Sequence, residues 1–176
     1  GNEIGMKQLP TAWPQVEGAY QPRNGARTPM QWNNTKNLGF STADASKLYL
    51  PVDPASDAPN VESQEKDENS LLNKTRKLIK LRKSEPALAN YAEFVPLYAK
   101  ENTYPFVYAR AAGDNVVLVM LNPRGEKADA TFQVNAKYKK TKLIAGDKFD
   151  IKSNKKEKSI TISMPGQSYA IVRLVK

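Results

Sequence analysis

The sequence predicts a mainly β protein: a C-terminal antiparallel Greek-key β-sandwich, preceded by an irregular loop and one helix. Three observations carry that expectation. From Tyr91 onward apolar residues recur at period two, in short runs separated by turn residues. Just before, residues 69–83 repeat apolar positions at helical spacing. Ahead of the helix, Pro10, Pro14, Pro22, Pro29, Pro51, Pro54 and Pro59 break up a stretch with few periodic runs.

Gly1-Asn2-Glu3-Ile4-Gly5-Met6 is short and apolar, like the end of a strand. Residues 1–68 as a whole do not read as a compact domain. Long structureless stretches are uncommon inside domains unless they are functional or lie on another scaffold, so much of 7–66 is expected to be irregular. Within it, Gly25-Ala26-Arg27-Thr28-Pro29-Met30-Gln31-Trp32 is a constrained loop with one fixed cation and one large aromatic. Gly25 permits a turn that other residues resist, and Pro29 fixes its own φ. A guanidinium fork donates to hydroxyls and an indole face stacks on sugar C–H surfaces, so the pair suits a polyhydroxylated ligand. The same two side chains would also serve to pin the loop to a scaffold, and residue type alone does not separate these uses.

A helix is expected over 67–84. Asp67, Glu68, Asn69 and Ser70 supply acids and capping groups at its start. Leu71, Leu72, Thr75, Leu78, Ile79 and Arg82 recur at helical spacing, Lys77, Lys80, Arg82 and Lys83 load its C-terminal half, and Pro86 stops it. The strands that follow are expected at 92–99, 105–111, 115–121, 128–134, 141–145, 159–163 and 168–175. Gly113-Asp114 reads as a hairpin turn, and Asn122-Pro123-Arg124-Gly125, Gly146-Asp147 and Pro165-Gly166 punctuate the rest. Pro96 confines the first strand to an edge or a bulge. Val116 to Leu121 is apolar on both faces, as in a central strand covered on both sides. Seven or eight short strands within about 85 residues argue a sandwich.

The 176 residues contain neither cysteine nor histidine. That excludes disulfides, thiolate nucleophiles, Ser-His-Asp and Cys-His catalysis, and most zinc chemistry. No run approaches the roughly 20 apolar residues that span a bilayer. The formal charge of +9 comes largely from Lys137, Lys139, Lys140, Lys142, Lys148, Lys152, Lys155, Lys156 and Lys158, against Asp147, Asp150 and Glu157. Without arginines or interleaved aromatics these read as solvated hairpin faces and edge-strand gatekeepers, not as a nucleic-acid site. Tyr91, Tyr98, Tyr104, Tyr108, Tyr138 and Tyr169 offer material for a ring-stacking platform, although such tyrosines more often bury a ring and expose a hydroxyl.

Taken in order, these segments resemble the C-terminal part of the α-amylase superfamily, glycoside hydrolase family 13, nearest its α-glucosidase, oligo-1,6-glucosidase and trehalose-synthase-like members. Gly1–Met6 is similar to the end of the family's eighth barrel strand, and Gly25–Trp32 to its G-(A/V)-R-T-P-M-Q-W loop. Asn37-Leu38-Gly39-Phe40-Ser41 and Leu50-Pro51-Val52 follow in the usual order. Asn69 to Lys83 with Pro86-Ala87-Leu88 resembles the eighth barrel helix, and Val116 to Asn122 the signature strand of the C-terminal sandwich.

The resemblance implies that residues 1–90 are the end of a catalytic (β/α)8 barrel and 91–176 an accessory sandwich. Such a barrel takes about 250 residues. The family's nucleophile, acid/base and stabilising carboxylates sit on earlier strands, in motifs that do not occur here. Retaining hydrolysis needs two carboxyls about 5–5.5 Å apart, so this chain alone is expected to be non-catalytic, with no catalytic residue, metal or cofactor. The resemblance assigns substrate contact, for an α-linked glucose oligosaccharide or disaccharide, to Arg27, Gln31, Trp32, Phe40 and Glu3. Arg27 meets the leaving-group or acceptor sugar, while Gln31 and Trp32 shape the entrance. Glu3 and Phe40 have a loop-holding and a packing role as alternatives. No nucleic acid or membrane partner is expected; the apolar side of helix 69–83 should fold back on the sandwich or pack against another copy. Gly1 is not expected to be a natural start, so a cytoplasmic, periplasmic or secreted parent stays open. A free-standing carbohydrate-binding module is the alternative reading.

Overall fold

A computed structural model describes residues 1–9 and 23–176. Pro10, Pro14 and Pro22, with their share of the stretch expected to be irregular, lie outside the described residues. The chain divides into two compact units, Gly1–Ile79 and Lys80–Lys176.

Among its described residues the first unit has no strand. Asn2–Ile4 forms a 3-10 turn, where the sequence reads as a strand end. The cause is local: with no strand edge to pair with, the N–H groups of Ile4 and Met6 both turn back to the Gly1 carbonyl, at 3.2 and 3.0 Å. Further 3-10 turns occupy Asn24–Ala26, Lys36–Gly39 and Ala45–Lys47. A short helix, α1 (Val61–Lys66), was not legible, because Val-Glu-Ser-Gln-Glu-Lys carries no apolar stripe. Its start is fixed by Asn60, whose side chain accepts from the Ser63 N–H at 2.9 Å.

The expected helix begins later than its acids imply. Helix α2 runs Leu71–Ser84, and Asp67 instead closes a turn by accepting from the Asn69 N–H at 2.9 Å. Ser70 caps α2 through its hydroxyl, which accepts from the Asn73 N–H at 3.2 Å. On α2 Leu72 is buried, whereas Leu71 and Ile79 are about half exposed.

The sheets of the second unit are antiparallel throughout. Its strands are β1 (Glu93–Tyr98), β2 (Phe106–Ala112), β3 (Asn115–Asn122), β4 (Ala128–Gln133), β5 (Lys140–Gly146), β6 (Asp150–Asn154), β7 (Ser159–Met164) and β8 (Ser168–Val175). They form a five-stranded sheet, β1-β2-β3-β8-β5, and a three-stranded sheet, β4-β7-β6. Gly113 and Asp114 make the two-residue β2–β3 turn, with Gly113 in the left-handed region at φ 57°. Pro96 sits on the edge strand β1, beside a register shift between Pro96 and Tyr98. Strand β6 escaped the sequence reading because Asp-Ile-Lys-Ser-Asn, an exposed outer strand, has one apolar residue and no alternation.

One apolar cluster draws on both sheets: Val107, Leu118, Met120 and Val172 from the larger, Ala130, Phe132, Ile160, Ile162 and Met164 from the smaller. The opposite side of β3 is also covered. Val117 and Val119 are buried there, and the Pro86–Leu88 turn, with fully buried Ala87, packs against β2 and β3. This is why β3 reads as apolar on both faces. Lys139 precedes β5; Lys140 and Lys142 lie on it and Lys152 on β6, the outermost strands of the two sheets, where charges discourage edge pairing.

Candidate functional site

The loop that the sequence singles out is held by its backbone. Gly25 does not adopt a left-handed conformation, so its role differs from the expected one. A Cβ there would come within 2.2 Å of the Leu9 carbonyl oxygen, and the Leu9 N–H donates to the Gly25 carbonyl at 2.9 Å. Glycine is required by this close approach of two backbone segments. Arg27 follows the Asn24–Ala26 turn, donates its N–H to the Asn24 carbonyl at 2.9 Å, and leaves its side chain exposed.

Gln31 is almost fully buried and donates its side-chain amide to the Pro59 carbonyl. The carbonyls of Gln31 and Trp32 accept from the N–H groups of Val61 and Glu62, at 3.1 and 2.9 Å. Those donors are free because they begin α1. The loop and the helix therefore satisfy each other, with Gln31 as the buried fastening. Trp32 closes the other side, its N–H donating to the Leu38 carbonyl at 2.8 Å, while its indole is half exposed. Phe40 follows three successive left-handed residues, Asn37, Leu38 and Gly39, and is also half exposed. Asn37 holds that turn by donating to the carbonyls of Ser41 and Ala43 at 2.8 and 2.9 Å.

Gln31→Ala should lower the stability of the first unit by about 1–3 kcal/mol, since it strands a buried acceptor. Urea unfolding followed by tryptophan fluorescence checks this; an unshifted midpoint would show that the Pro59 contact holds nothing.

Glu3 lies on the Asn2–Ile4 turn and is partly exposed. In the first unit a cavity of about 290 Å³ is lined by Gly1, Asn2, Met6, Lys7, Gln8, Ala26, Thr28 and Met30. None of the five predicted contact residues lines it. It does bring together the chain neighbours of Glu3 and those of Arg27. Asn2, Thr28 and Gln8 offer hydrogen-bonding groups there, with Lys7 as the cation among the described lining residues, which suits binding of hydroxyls.

Gln64 was missed by sequence reasoning, and no spacing would have found it. Its amide donates to the Ile4 carbonyl at 2.7 Å and accepts from the Leu72 N–H at 3.0 Å, tying the first turn to the start of α2. Two buried polar atoms, Asn24 Nδ2 and Asp53 Oδ2, have no hydrogen-bond partner among the described residues.

In the second unit the tyrosines divide. Tyr98 and Tyr138 pack against the apolar cluster, whereas Tyr91 and Tyr104 are exposed. Tyr108 is flanked by Phe94 and Phe106, at ring separations of 4.9 and 5.3 Å and tilts of 36° and 39°. Burial pushes the Tyr108 and Tyr169 phenols up. These rings pack on one another and do not lie coplanar.

Residues 1–91 match the family described as alpha amylase, catalytic domain. The chain belongs to the α-amylase family. A trehalose synthase/amylase of Mycobacterium tuberculosis is 42% identical over 95 residues, covering 51% of this chain and 14% of that protein. An oligo-1,6-glucosidase of Parageobacillus thermoglucosidasius is 34% identical over 103 residues, or 58% of this chain and 17% of that enzyme. Among solved structures, an isomaltulose synthase of Erwinia rhapontici in complex with D-glucose aligns with a TM-score of 0.69 at 26% identity, over 89% of this chain and 26% of that one. The chain thus spans well under a fifth of the curated relatives named here. This α-amylase-family chain is homologous to glucan-active hydrolases and trehalose synthases, and it is mostly β.

Proposed function

We propose that this chain is the C-terminal portion of a retaining α-glucosidase-type enzyme of the α-amylase family. Residues 1–90 supply the end of the last strand, an active-site loop and the last helix of its (β/α)8 barrel, and 91–176 a Greek-key accessory sandwich. The observation that carries this reading is the Gly25–Trp32 loop, built on a buried Gln31 while Arg27 and Trp32 are left exposed. Such a rigid base with exposed donor and ring is what sugar contact at a barrel rim requires. Arg27 meets the leaving-group or acceptor sugar of an α-linked glucose oligosaccharide or disaccharide, with Trp32 and Phe40 as walls and Glu3 holding the first turn. Asn24 Nδ2 and Asp53 Oδ2, without a partner among the described residues, support completion of the first unit by further structure. Exposed Leu71 and Ile79 on α2 support packing against that structure or, in its place, against a second copy.

The test has two arms. The chain alone, assayed on maltose, isomaltose and a nitrophenyl glucoside, should show no turnover above a blank; turnover overturns the reading. In the enzyme that carries this segment, Arg27→Ala should lower kcat/KM by about 10- to 100-fold, the loss of one charged hydrogen bond. An unchanged kcat/KM removes Arg27 from the site.

A further inference from the structure

The lysines between 137 and 158 are not one population. Those on the outer strands β5 and β6 stand along sheet edges, but Lys137, Lys155 and Lys158 share a concavity. A cavity of about 260 Å³ in the second unit is lined by Val134, Asn135, Ala136, Lys137, Tyr138, Lys155 and Lys158. Its floor is apolar and fixed: Val134 is buried, and Ala136 and Tyr138 pack against the core. Its rim is held by the β6–β7 turn, residues 155–158. The Val134 N–H donates to the Lys158 carbonyl at 2.7 Å, and Lys158 is in the left-handed region at φ 51°. Asn154 secures the β6–β7 turn by accepting from the N–H groups of Lys156 and Glu157, at 3.1 and 3.2 Å.

No lining residue is acidic, and the carboxylate nearest in sequence, Glu157, is exposed and does not line the cavity. Among the ion pairs of the described residues, none involves Lys137, Lys155 or Lys158. Three exposed lysines lining one small hollow gather positive charge at its rim, which an anion would neutralise. A phosphate monoester carries about −1.5 to −2 charges at neutral pH, a closer match to three cations than one carboxylate. The volume falls just under the roughly 300–1,000 Å³ of drug-sized pockets, which fits a small ester and not a polymer segment. One tyrosine without arginines gives no series of stacking platforms for a nucleic-acid strand.

We propose that this hollow binds the phosphate monoester of a small polyol, the phosphate among Lys137, Lys155 and Lys158 and the hydroxylated body against Tyr138 and Asn135. The whole chain, isotopically labelled, is titrated by NMR with glucose 6-phosphate, inorganic phosphate and glucose. Saturable shifts confined to 134–138 and 155–158 are expected with glucose 6-phosphate, weaker binding with inorganic phosphate, and none with glucose. The triple variant Lys137→Gln, Lys155→Gln, Lys158→Gln should weaken ester binding by about tenfold or more; the equally neutralised Lys139→Gln, Lys142→Gln, Lys152→Gln should stay within about twofold. Equal loss in both variants, shifts spread over every lysine of 137–158, or no saturation would reduce the hollow to a diffuse counterion cloud and overturn the site. Inorganic phosphate binding as tightly as the ester would overturn the contact with the polyol.

Discussion

Phe132→Ala should destabilise the second unit by about 3–5 kcal/mol, the range for a buried phenylalanine truncated to alanine. Phe132 lies on β4, opposite Ile160 of β7, and is 4% exposed. Its ring belongs to the cluster shared by both sheets, where Val107, Leu118, Met120 and Val172 of the larger sheet are also members. The smaller sheet has three strands, and its outer strand β6 contributes only the partly buried Ile151 to this cluster. Most of its attachment therefore rests on β4 and β7. Against a total stability of about 5–15 kcal/mol for an ordinary domain, the loss is large, about 12–40 °C in Tm at roughly 4–8 °C per kcal/mol. Thr131→Ala, one residue away on the opposite face, removes an exposed hydroxyl pair with Thr161 and should stay within about 0.5 kcal/mol. Far-UV circular dichroism during heating is the right probe, because both tryptophans, Trp13 and Trp32, precede residue 80. Equal Tm shifts for the two variants would show that the shared cluster does not hold the sheets.

The contrast between Phe132 and Thr131 also explains what was legible in the sequence. Strands β2, β3, β4, β7 and β8 each bury a face in the shared cluster, so burial wrote itself into alternation or into continuous apolar runs. Strand β6 buries almost nothing and wrote no signal. Helix α1 is set by Asn60 and by the carbonyls of Gln31 and Trp32, partners some 30 positions earlier, which no local window contains. The loop motif was found from its residue types, yet its support was not. Gly25 is explained by the backbone of Leu9, and Gln64 by Ile4 and Leu72. Contacts at long sequence separation are where reading a chain by period and propensity stops.

The second large effect is expected at Arg173. Its Nε donates to Glu85 Oε2 at 2.9 Å, and its Nη2 to the same oxygen. The Glu85 side chain is 1% exposed, whereas that of Arg173 is 40% exposed. The pair is therefore asymmetric: a carboxylate out of water, reached by a guanidinium that stays partly in it. Glu85 also caps the Pro86–Leu88 turn, accepting from the Ala87 N–H at 3.4 Å, and that turn covers the outer face of β3. Arg173→Met leaves the carboxylate buried with only that weak bond. Breaking a fully buried pair costs about 3–5 kcal/mol; with Arg173 partly solvated, about 2–3 kcal/mol is expected. The double variant Glu85→Leu, Arg173→Met discards the stranded charge along with its partner. It should be more stable than Arg173→Met alone, because the penalty comes from desolvating one ion and not from losing an attraction. Urea titrations of the two variants decide it. If the double variant is the less stable, Glu85 is worth more as a cap than it costs as a buried charge, and the turn over β3 is held by hydrogen bonding alone.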